Sequence, residues 1–348
     1  MSILVKLIDT IFLKGKGMNM KKVLVTGATG FLGKYLIEEL LNNDYEVVAQ
    51  GRKEKVLSDI KEKYNVQILK CSLDEIKDVE LKVDYVIHAA ALSTVWGKWE
   101  DFYNSNVVGT ENVIDFCKKN NVKRLVYVSS PSIYSAKCDR LNINEEDFDK
   151  NNQLNFYIKS KILAENLINS IEDDKLEKVI IRPRGLFGIG DTSIIPRLIK
   201  ANRKIGIPLF NEGKNIVDIT CVENVATALR LAIESENAVG RTYNITNGEP
   251  REFKNILEEL FKQINEPPKY LKINLNLMYG VSSVIEFIYK LFHIYKEPMI
   301  TKYNICTLGY SQTLNIEKAK KDLNYIPKIT LSEGIKKYAE DYKRNKVL

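Results

Sequence analysis

A tyrosine and a lysine four residues apart open a helical pattern in Tyr157-Ile158-Lys159-Ser160-Lys161, so they share one helix face. An ammonium on that face favours phenolate, and the spacing predicts a tyrosine pKa lowered towards neutrality. Such a tyrosine exchanges a proton with a substrate oxygen while a nicotinamide exchanges a hydride with the carbon. The lysine can also hold the nicotinamide ribose. Alone the spacing is common by chance, and its weight comes from its place after the fifth strand of an alternating pattern. That strand ends in Tyr127-Val128-Ser129-Ser130-Pro131-Ser132. A hydroxyl at a strand's carboxyl end lies where ligands bind in open parallel sheets, which makes Ser130 the candidate donor to a reacting carbonyl. Ser129 and Ser132 read as turn or cap residues. The chain holds only 2 histidines, His88 and His293, far apart in sequence. A multi-histidine metal site is thereby excluded, and no metal is expected. Acid–base work near neutral pH falls to a tuned Tyr, Lys, Cys or carboxylate.

A second constellation lies near the start. Thr26-Gly27-Ala28-Thr29-Gly30-Phe31-Leu32-Gly33 follows a short apolar strand and opens a helix. Gly27 permits a tight turn, Gly30 lets backbone approach a pyrophosphate, and Gly33 lets helix and strand pack closely. The helix N-terminus then faces the anion, and the segment predicts dinucleotide binding. Cofactor choice is set at the end of the second strand, where an acid would bind the ribose 2′-hydroxyl of NAD(H) and a base the 2′-phosphate of NADP(H). The chain reads Ala49-Gln50-Gly51-Arg52-Lys53, with no acid before Glu54. Arg52 and Lys53 favour NADP(H), with NAD(H) the alternative if the two bases merely begin a solvated helix.

The elements that position these residues are readable from periodicity. Apolar β-branched runs at Val23–Val25, Glu46–Ala49, Val66–Leu69, Asp84–Ile87, Arg124–Val128 and Lys178–Ile181 alternate with helical patterns at Phe31–Leu41, Trp99–Asn120 and Phe156–Ile171. Fully apolar strands between helices predict a doubly wound α/β domain, a parallel sheet covered on both faces. Beyond Gly190 the alternation loosens, with a strand at Thr242–Ile245 and a helix at Glu252–Gln263. The expected division is an N-terminal extension over 1–20, a dinucleotide-binding Rossmann domain over 21–190, and a mainly substrate-binding lobe over 191–348 interleaved with it. From Leu277 to Tyr295 apolar residues recur at helical spacing: Leu277, Val281, Val284, Ile285, Ile288, Leu291, Phe292 and Tyr295. Three readings stay open for this segment: a core-facing helix, a lid over an apolar pocket, or a membrane-surface helix through which a lipid-soluble substrate enters.

Composition narrows the classes. With 348 residues, 45% hydrophobic and 28% charged, the chain has apolar mass for a full core. The net charge of +7 is spread among interleaved acids, so no block reads as a nucleic-acid surface. Five scattered cysteines without a C-x-x-C suit a reducing cytoplasm. The apolar run Ile3–Leu13 is interrupted by Lys6 and Asp9 and is too short to span a bilayer. It reads either as a dispensable extension or as a membrane-surface helix.

Taken together the motifs resemble the extended short-chain dehydrogenase/reductase family, also called the NAD-dependent epimerase/dehydratase family, over residues 22 to 335. The resemblance rests on Thr26-Gly27-x-x-Gly30-x-x-Gly33, on His88-Ala89-Ala90-Ala91, on Ser129-Ser130, on Tyr157-x-x-x-Lys161 and on Arg182-Pro183. It implies Ser130, Tyr157 and Lys161 as the catalytic triad, with Asn106 as a supporting polar residue behind them. It implies cofactor contacts from the glycine loop (Thr26, Gly27, Thr29, Gly30, Phe31, Leu32 and Gly33), from Ala89, Ala90 and Ala91 through Leu92, from Arg182 through Pro183 to Leu186, and from Ser72 and Leu73 against adenine. Ser72 stands where the family usually has an acid. His88 ends a buried strand and reads as structural.

Local features separate the family's branches. Pro131-Ser132 replaces the Asp-Glu pair usual in dehydratases, and Val217 takes the place of the arginine that holds a sugar nucleotide's diphosphate. Val95-Trp96-Gly97, Glu297-Pro298-Met299-Ile300-Thr301 and Asn215-x-Val217-Asp218-x-Thr220-x-Val222-Glu223-Asn224 are similar to the 3β-hydroxysteroid dehydrogenase-like branch. That likeness implies a bulky apolar substrate, steroid-like or 3-oxoacyl-like, met by Thr94, Trp96, Ser132 and Gly185. The expectation is thus an NAD(P)-dependent oxidoreductase of a hydroxyl/carbonyl pair. The alternatives are a sugar-nucleotide epimerase and, from another class, a non-catalytic dinucleotide-binding regulator. A homodimer through the helices at Trp99–Asn120 and Phe156–Ile171 and peripheral membrane contact are the expected partners, beside the small molecule and no nucleic acid.

Overall fold

Apolar strands of four to seven residues can be buried on both faces only if helices cover both. The structure, a computed structural model, describes residues 20–347, and the N-terminal extension lies almost wholly outside them. Its main sheet has seven strands among the described residues: β1 Lys22–Thr26, β2 Glu46–Gly51, β3 Gln67–Lys70, β4 Tyr85–His88, β5 Arg124–Val128, β6 Glu177–Pro183 and β7 Arg241–Ile245. They lie in the order β7-β6-β5-β4-β1-β2-β3, and every pairing is parallel. The order reverses between β1 and β4, and at this switch point the carboxyl ends of both strands border one crevice.

Alternation along each strand divides the core into two layers. Val23 and Val25 of β1 pack with Leu36, Ile37 and Leu40 of α1 (Phe31–Leu41), Leu57 and Ile60 of α2 (Glu54–Tyr64), and, further along the chain, Val225 and Leu229. Leu24, Val86, Leu125 and Ile180 face the other way. They meet Val113, Phe116 and Cys117 of α3 (Gly109–Lys119) and Ala164 and Ile168 of α4 (Phe156–Asn169). The residues Val225 and Leu229 belong to α5 (Val222–Glu234), which closes the first face from the C-terminal half.

The two halves are laced together. β7 comes from the C-terminal half yet pairs with β6 over Arg241–Ile245. A small sheet orders Arg251–Glu252, Ile216–Val217, Gln312–Leu314 and Arg140–Ile143, so it too draws on both halves. A separate apolar core forms under the helices Ile195–Lys204, Phe253–Gln263 and Leu331–Val347, around Ile199, Leu257, Phe261 and Ile335. The five cysteines are unpaired, and no helix among the described residues is long and apolar enough to cross a membrane.

Two elements depart from expectation. The run Trp99–Asn120 is not one α-helix: Trp99–Phe102 passes through a π-helical segment, Tyr103–Val108, before α3. Such segments insert a residue into a helix and re-aim the side chains around it. The apolar segment after Asn274 forms α6 (Leu275–Leu291), but its greasy face is not in the core. Leu277, Val284, Phe287 and Leu291 are exposed, while Ser282 and Glu286 are the buried residues. Glu286 faces inward because its carboxylate accepts the Lys302 backbone N–H at 2.7 Å, at the start of α7 (Lys302–Gly309). The core-facing reading of this helix is therefore wrong.

Candidate active site

The catalytic candidates converge at the carboxyl ends of β4, β5 and β6. Asn155 starts α4 by accepting the Ile158 N–H on its side chain at 2.8 Å, which sets Tyr157 in the first turn and Lys161 one turn on. Ser130 leaves β5 in extended conformation and accepts the Ser132 N–H at 3.2 Å. Its Oγ also lies 2.8 Å from Ser132 Oγ, so Ser130 is both the carbonyl-donor candidate and the cap of the turn Pro131–Tyr134. Ser132 is buried behind it, so as a substrate contact it acts only through Ser130. Ser129 is turned away, donating to Glu165 Oε1 at 2.5 Å.

The electrostatics differ from the pairing expected on the helix face. Lys161 is buried and donates to Tyr127 Oη at 3.1 Å and to the Val128 carbonyl at 2.9 Å. Burial lowers its pKa to about 7, against the pull of Glu165. Burial likewise pushes the Tyr157 phenol up to about 12; a hydrogen bond with Ser130 opposes the rise and Tyr303 adds to it. Tyr157 is thus a protonated acid at neutral pH in this geometry, and the lowering expected from Lys161 is not what the site delivers. The reason is positional, because the lysine's hydrogen bonds go to β5.

Behind these residues lies a fully buried polar frame. Asn106, in the π-helical segment, accepts the Leu92 N–H at 2.7 Å and donates to the Leu92 carbonyl at 3.0 Å and to Ser160 Oγ at 2.9 Å. It therefore clamps the irregular segment that follows β4 onto α4. His88 is fully buried between Thr26 Oγ1 (2.7 Å) and Thr110 Oγ1 (3.1 Å), and its pKa falls to about 3 through burial and the neighbouring Lys161. Arg182 forms a buried pair with Glu165, at 2.8 Å from Nε and 2.5 Å from Nη2, and also reaches Tyr134 Oη. Its guanidinium is spent there, so it does not line the cofactor crevice as the resemblance implied. Pro183 stays at the end of β6 and Gly185 two residues on, with φ +51°.

The glycine loop fits a dinucleotide pyrophosphate. Helix α1 has Gly30 at its N-cap, no side-chain cap and no acid in its first turn, so its leading N–H groups are left for an anion. Gly27 has φ +69°, and a Cβ there would stand 2.8 Å from the backbone N and Cα of Ala90. A Cβ on Gly33 would stand 2.5 Å from the Ala28 carbonyl oxygen, which is the close helix–strand approach the motif requires. Thr29 packs on Gly51 at the end of β2, and Phe31 packs edge-on against Tyr35 at 5.7 Å. Three loop expectations are modified. Thr26 is fully buried and its hydroxyl serves His88 and the Ala90 N–H, so its side chain is unavailable to a cofactor. Leu32 packs on the core, leaving only its backbone for the loop. Ser72 is occupied in a reciprocal cap, its N–H donating to Glu75 at 2.7 Å and its Oγ accepting the Glu75 N–H. Leu73 packs beside Gly109.

Gln50 was not singled out by sequence reasoning. Its Oε1 accepts the Gly27 N–H at 3.1 Å and its Nε2 donates to the Cys71 carbonyl at 2.7 Å, which stitches the glycine loop to β2 and β3. A lone amide ending a buried apolar strand was the available signal. Arg52 and Lys53 follow β2 directly, both exposed, and neither makes an ion pair among the described residues.

A cleft of about 270 Å³ has Phe156, the sequence neighbour of Tyr157, in its wall, while Ser130, Tyr157 and Lys161 do not line it. Trp96, Trp99, Tyr289 and Tyr295 supply much of its apolar lining. Trp96 is held by donating from Nε1 to the Ile294 carbonyl at 2.9 Å and by an edge contact with Tyr289 at 6.0 Å. The expected contact Trp96 is therefore placed in the cleft. Thr94 is not: it is exposed and bonded to the Trp96 carbonyl.

The model of the family described as the NAD dependent epimerase/dehydratase family matches residues 23–246. The chain belongs to that family. It is similar to a 2-alkyl-3-oxoalkanoate reductase of Stenotrophomonas maltophilia (strain K279a), 28% identical over 91% of this chain and 98% of the relative. It is also similar to the mouse (Mus musculus) sterol-4-alpha-carboxylate 3-dehydrogenase, decarboxylating, 30% identical over 92% of this chain and 91% of that one. The crystal structure of a UDP-glucuronic acid 4-epimerase from Bacillus cereus in complex with NAD superposes with a TM-score of 0.73 at 21% identity, covering 93% of this chain and 96% of that chain, and shows the shared fold. The chain is accordingly an NAD(P)-dependent oxidoreductase of the extended short-chain dehydrogenase/reductase type.

Proposed function

We propose that the chain exchanges a hydride between a nicotinamide dinucleotide and a hydroxyl/carbonyl pair on an apolar substrate, steroid-like or 3-oxoacyl-like. The observation that carries this reading is the placing of Tyr157, protonated at neutral pH, beside Ser130 and next in sequence to Phe156 in the wall of an aromatic cleft. The bound dinucleotide supplies or accepts the hydride. Its pyrophosphate would sit on the N-terminus of α1 against Gly27 and Gly30, with Ala89, Ala90 and Ala91 leaving room beside it. In the reducing direction Ser130 donates a hydrogen bond to the substrate oxygen and Tyr157 gives that oxygen its proton. Lys161, half-charged near neutrality, fixes the end of β5 and stands ready for a ribose hydroxyl.

Two finer features belong to the same proposal. Arg52 and Lys53, exposed and without acidic partners among the described residues, select NADP(H) over NAD(H) through the 2′-phosphate. The outward apolar face of α6, with Phe287 67% and Leu291 59% exposed and Lys290 beside them, rests on a membrane surface and admits a lipid-soluble substrate to the adjoining cleft. A cytoplasmic homodimer built on the Trp99–Lys119 segment and α4 completes the picture, with Tyr103 and Phe156 exposed on those elements.

A panel of 3-oxoalkanoates, steroids and sugar nucleotides, followed by NAD(P)H absorbance, tests the reading. Cofactor turnover with the first two classes supports it. Net isomerisation of a sugar nucleotide with no added cofactor would replace it with an epimerase, and cofactor binding without turnover of any class would favour a regulator.

A further inference from the structure

Just past the last residue of β6 stands a buried cation with no partner. Arg184 is 6% exposed, and its guanidinium makes no hydrogen bond or ion pair among the described residues. This is unlike Arg182 two residues earlier, which is fully paired with Glu165 and Tyr134. Its backbone is pinned: the N–H donates to the Ile245 carbonyl of β7 at 2.9 Å, and the carbonyl accepts the Thr220 hydroxyl. The next residue, Gly185, accepts the Thr220 N–H at 3.0 Å. The ionisable groups facing the guanidinium are Tyr303 and Asp218. Asp218 is no counter-ion at contact distance, since no ion pair joins the two and its Oδ2 accepts the Leu314 N–H at 2.8 Å. Val128 pairs in register with Ile181 on the neighbouring parallel strand, so Ser130 and Arg184 leave β5 and β6 at the same carboxyl edge of the sheet.

A buried guanidinium is costly to leave unpaired, and its planar donors match a carboxylate. We infer that Arg184 is the anchor for a carboxylate carried by the substrate, holding the acid group while the carbonyl or hydroxyl lies against Ser130 and Tyr157. This rests on the hydride-transfer reading and narrows it to substrates that are oxo or hydroxy acids. A diphosphate is the other oxyanion a guanidinium holds. The place beside Asp218 where sugar-nucleotide enzymes carry an arginine is here the buried Val217, which leaves Arg184 without a second cation for a doubly charged group.

The test uses the whole protein and two probes that cannot react, decanoate and decanol, with binding read by calorimetry for wild type, R184Q and R184K. Decanoate binding is expected to weaken about 10- to 100-fold in R184Q and to recover in part in R184K. Decanol binding stays unchanged in both, which also reports that the variants are folded. In turnover, the kcat/KM ratio of a 3-oxoalkanoate to its methyl ester falls by a similar factor in R184Q. Equal decanoate affinity in wild type and R184Q would overturn the inference, as would Arg184-dependent binding of UDP with none of decanoate. If wild type reduces neither acid nor ester while decanoate binding still needs Arg184, the hydride-transfer reading falls and the carboxylate site stands.

Discussion

Replacing Gly27 by alanine should separate the glycine loop's conformational demand from its demand for space. At φ +69° an L-residue costs about 1–2 kcal/mol from its own backbone. The new Cβ would stand 2.8 Å from both the N and Cα of Ala90, backbone atoms that cannot swing aside. Relieving that contact means prising the loop from the end of β4, an overpacking strain of roughly 1–3 kcal/mol more. The loop's N–H groups then no longer converge on one point. Losing one charge-assisted hydrogen bond to a pyrophosphate, about 1.5–3 kcal/mol, weakens dinucleotide binding roughly 10- to 150-fold. Gly240 is the control, since its φ is +75° but a Cβ there meets nothing within 4 Å. Urea unfolding and titration calorimetry with NADPH read both variants. Gly27→Ala is expected to lose roughly 2–5 kcal/mol and most cofactor affinity. Gly240→Ala should lose only about 1 kcal/mol and keep full affinity. Equal stability losses in the two variants, or wild-type cofactor affinity in Gly27→Ala, would refute the reasoning.

Three further outcomes are expected. His88 keeps a folded pKa of about 3 against an ordinary 6.5, so the unfolded chain takes up a proton that the folded chain refuses between those values. Its contribution is whole above pH 6.5 and is lost as pH falls towards 3, on the order of 4–5 kcal/mol in all. His88→Asn should flatten the slope of urea midpoint against pH across the acid range, and an unchanged slope would contradict the assignment. Removing Arg52 and Lys53 together by alanine should raise the KM for NADPH about tenfold or more and leave that for NADH within twofold; a wild type that prefers NADH would sink the 2′-phosphate site. The full chain should co-sediment with anionic lipid vesicles, with Phe287→Ser and Leu291→Ser each reducing the bound fraction, whereas wild-type protein left in the supernatant would dismiss the membrane role of α6.

What the sequence revealed follows from burial. The strands in the middle of the main sheet were legible because each carries an apolar run buried on both faces, whereas β7, with Thr242 and Asn244, reads as part of the looser C-terminal half; the glycine motif was legible because its backbone geometry admits almost no other residue. Where periodicity misled, the cause lay in partners far along the chain. The stripe on α6 has the spacing of a core helix, but Glu286 is drawn inward by the start of α7 and turns that stripe out. The face shared by Tyr157 and Lys161 was right in angle yet silent on where the lysine's nitrogen ends, which is at Tyr127 and Val128. Glu165 and Arg184 carried no local signature, and Gln50 only that of a lone amide ending an apolar strand, since each owes its place to residues that only the fold brings near it.

The central claim is that Tyr157 passes the proton to the substrate oxygen. Single-turnover reduction of a 3-oxoalkanoate by Tyr157→Phe, with NADPH affinity measured in parallel, tests it most directly. Loss of the phenolic hydroxyl should slow hydride transfer about 100- to 10,000-fold while NADPH binds as in the wild type. A Tyr157→Phe protein that transfers hydride at the wild-type rate would contradict the account.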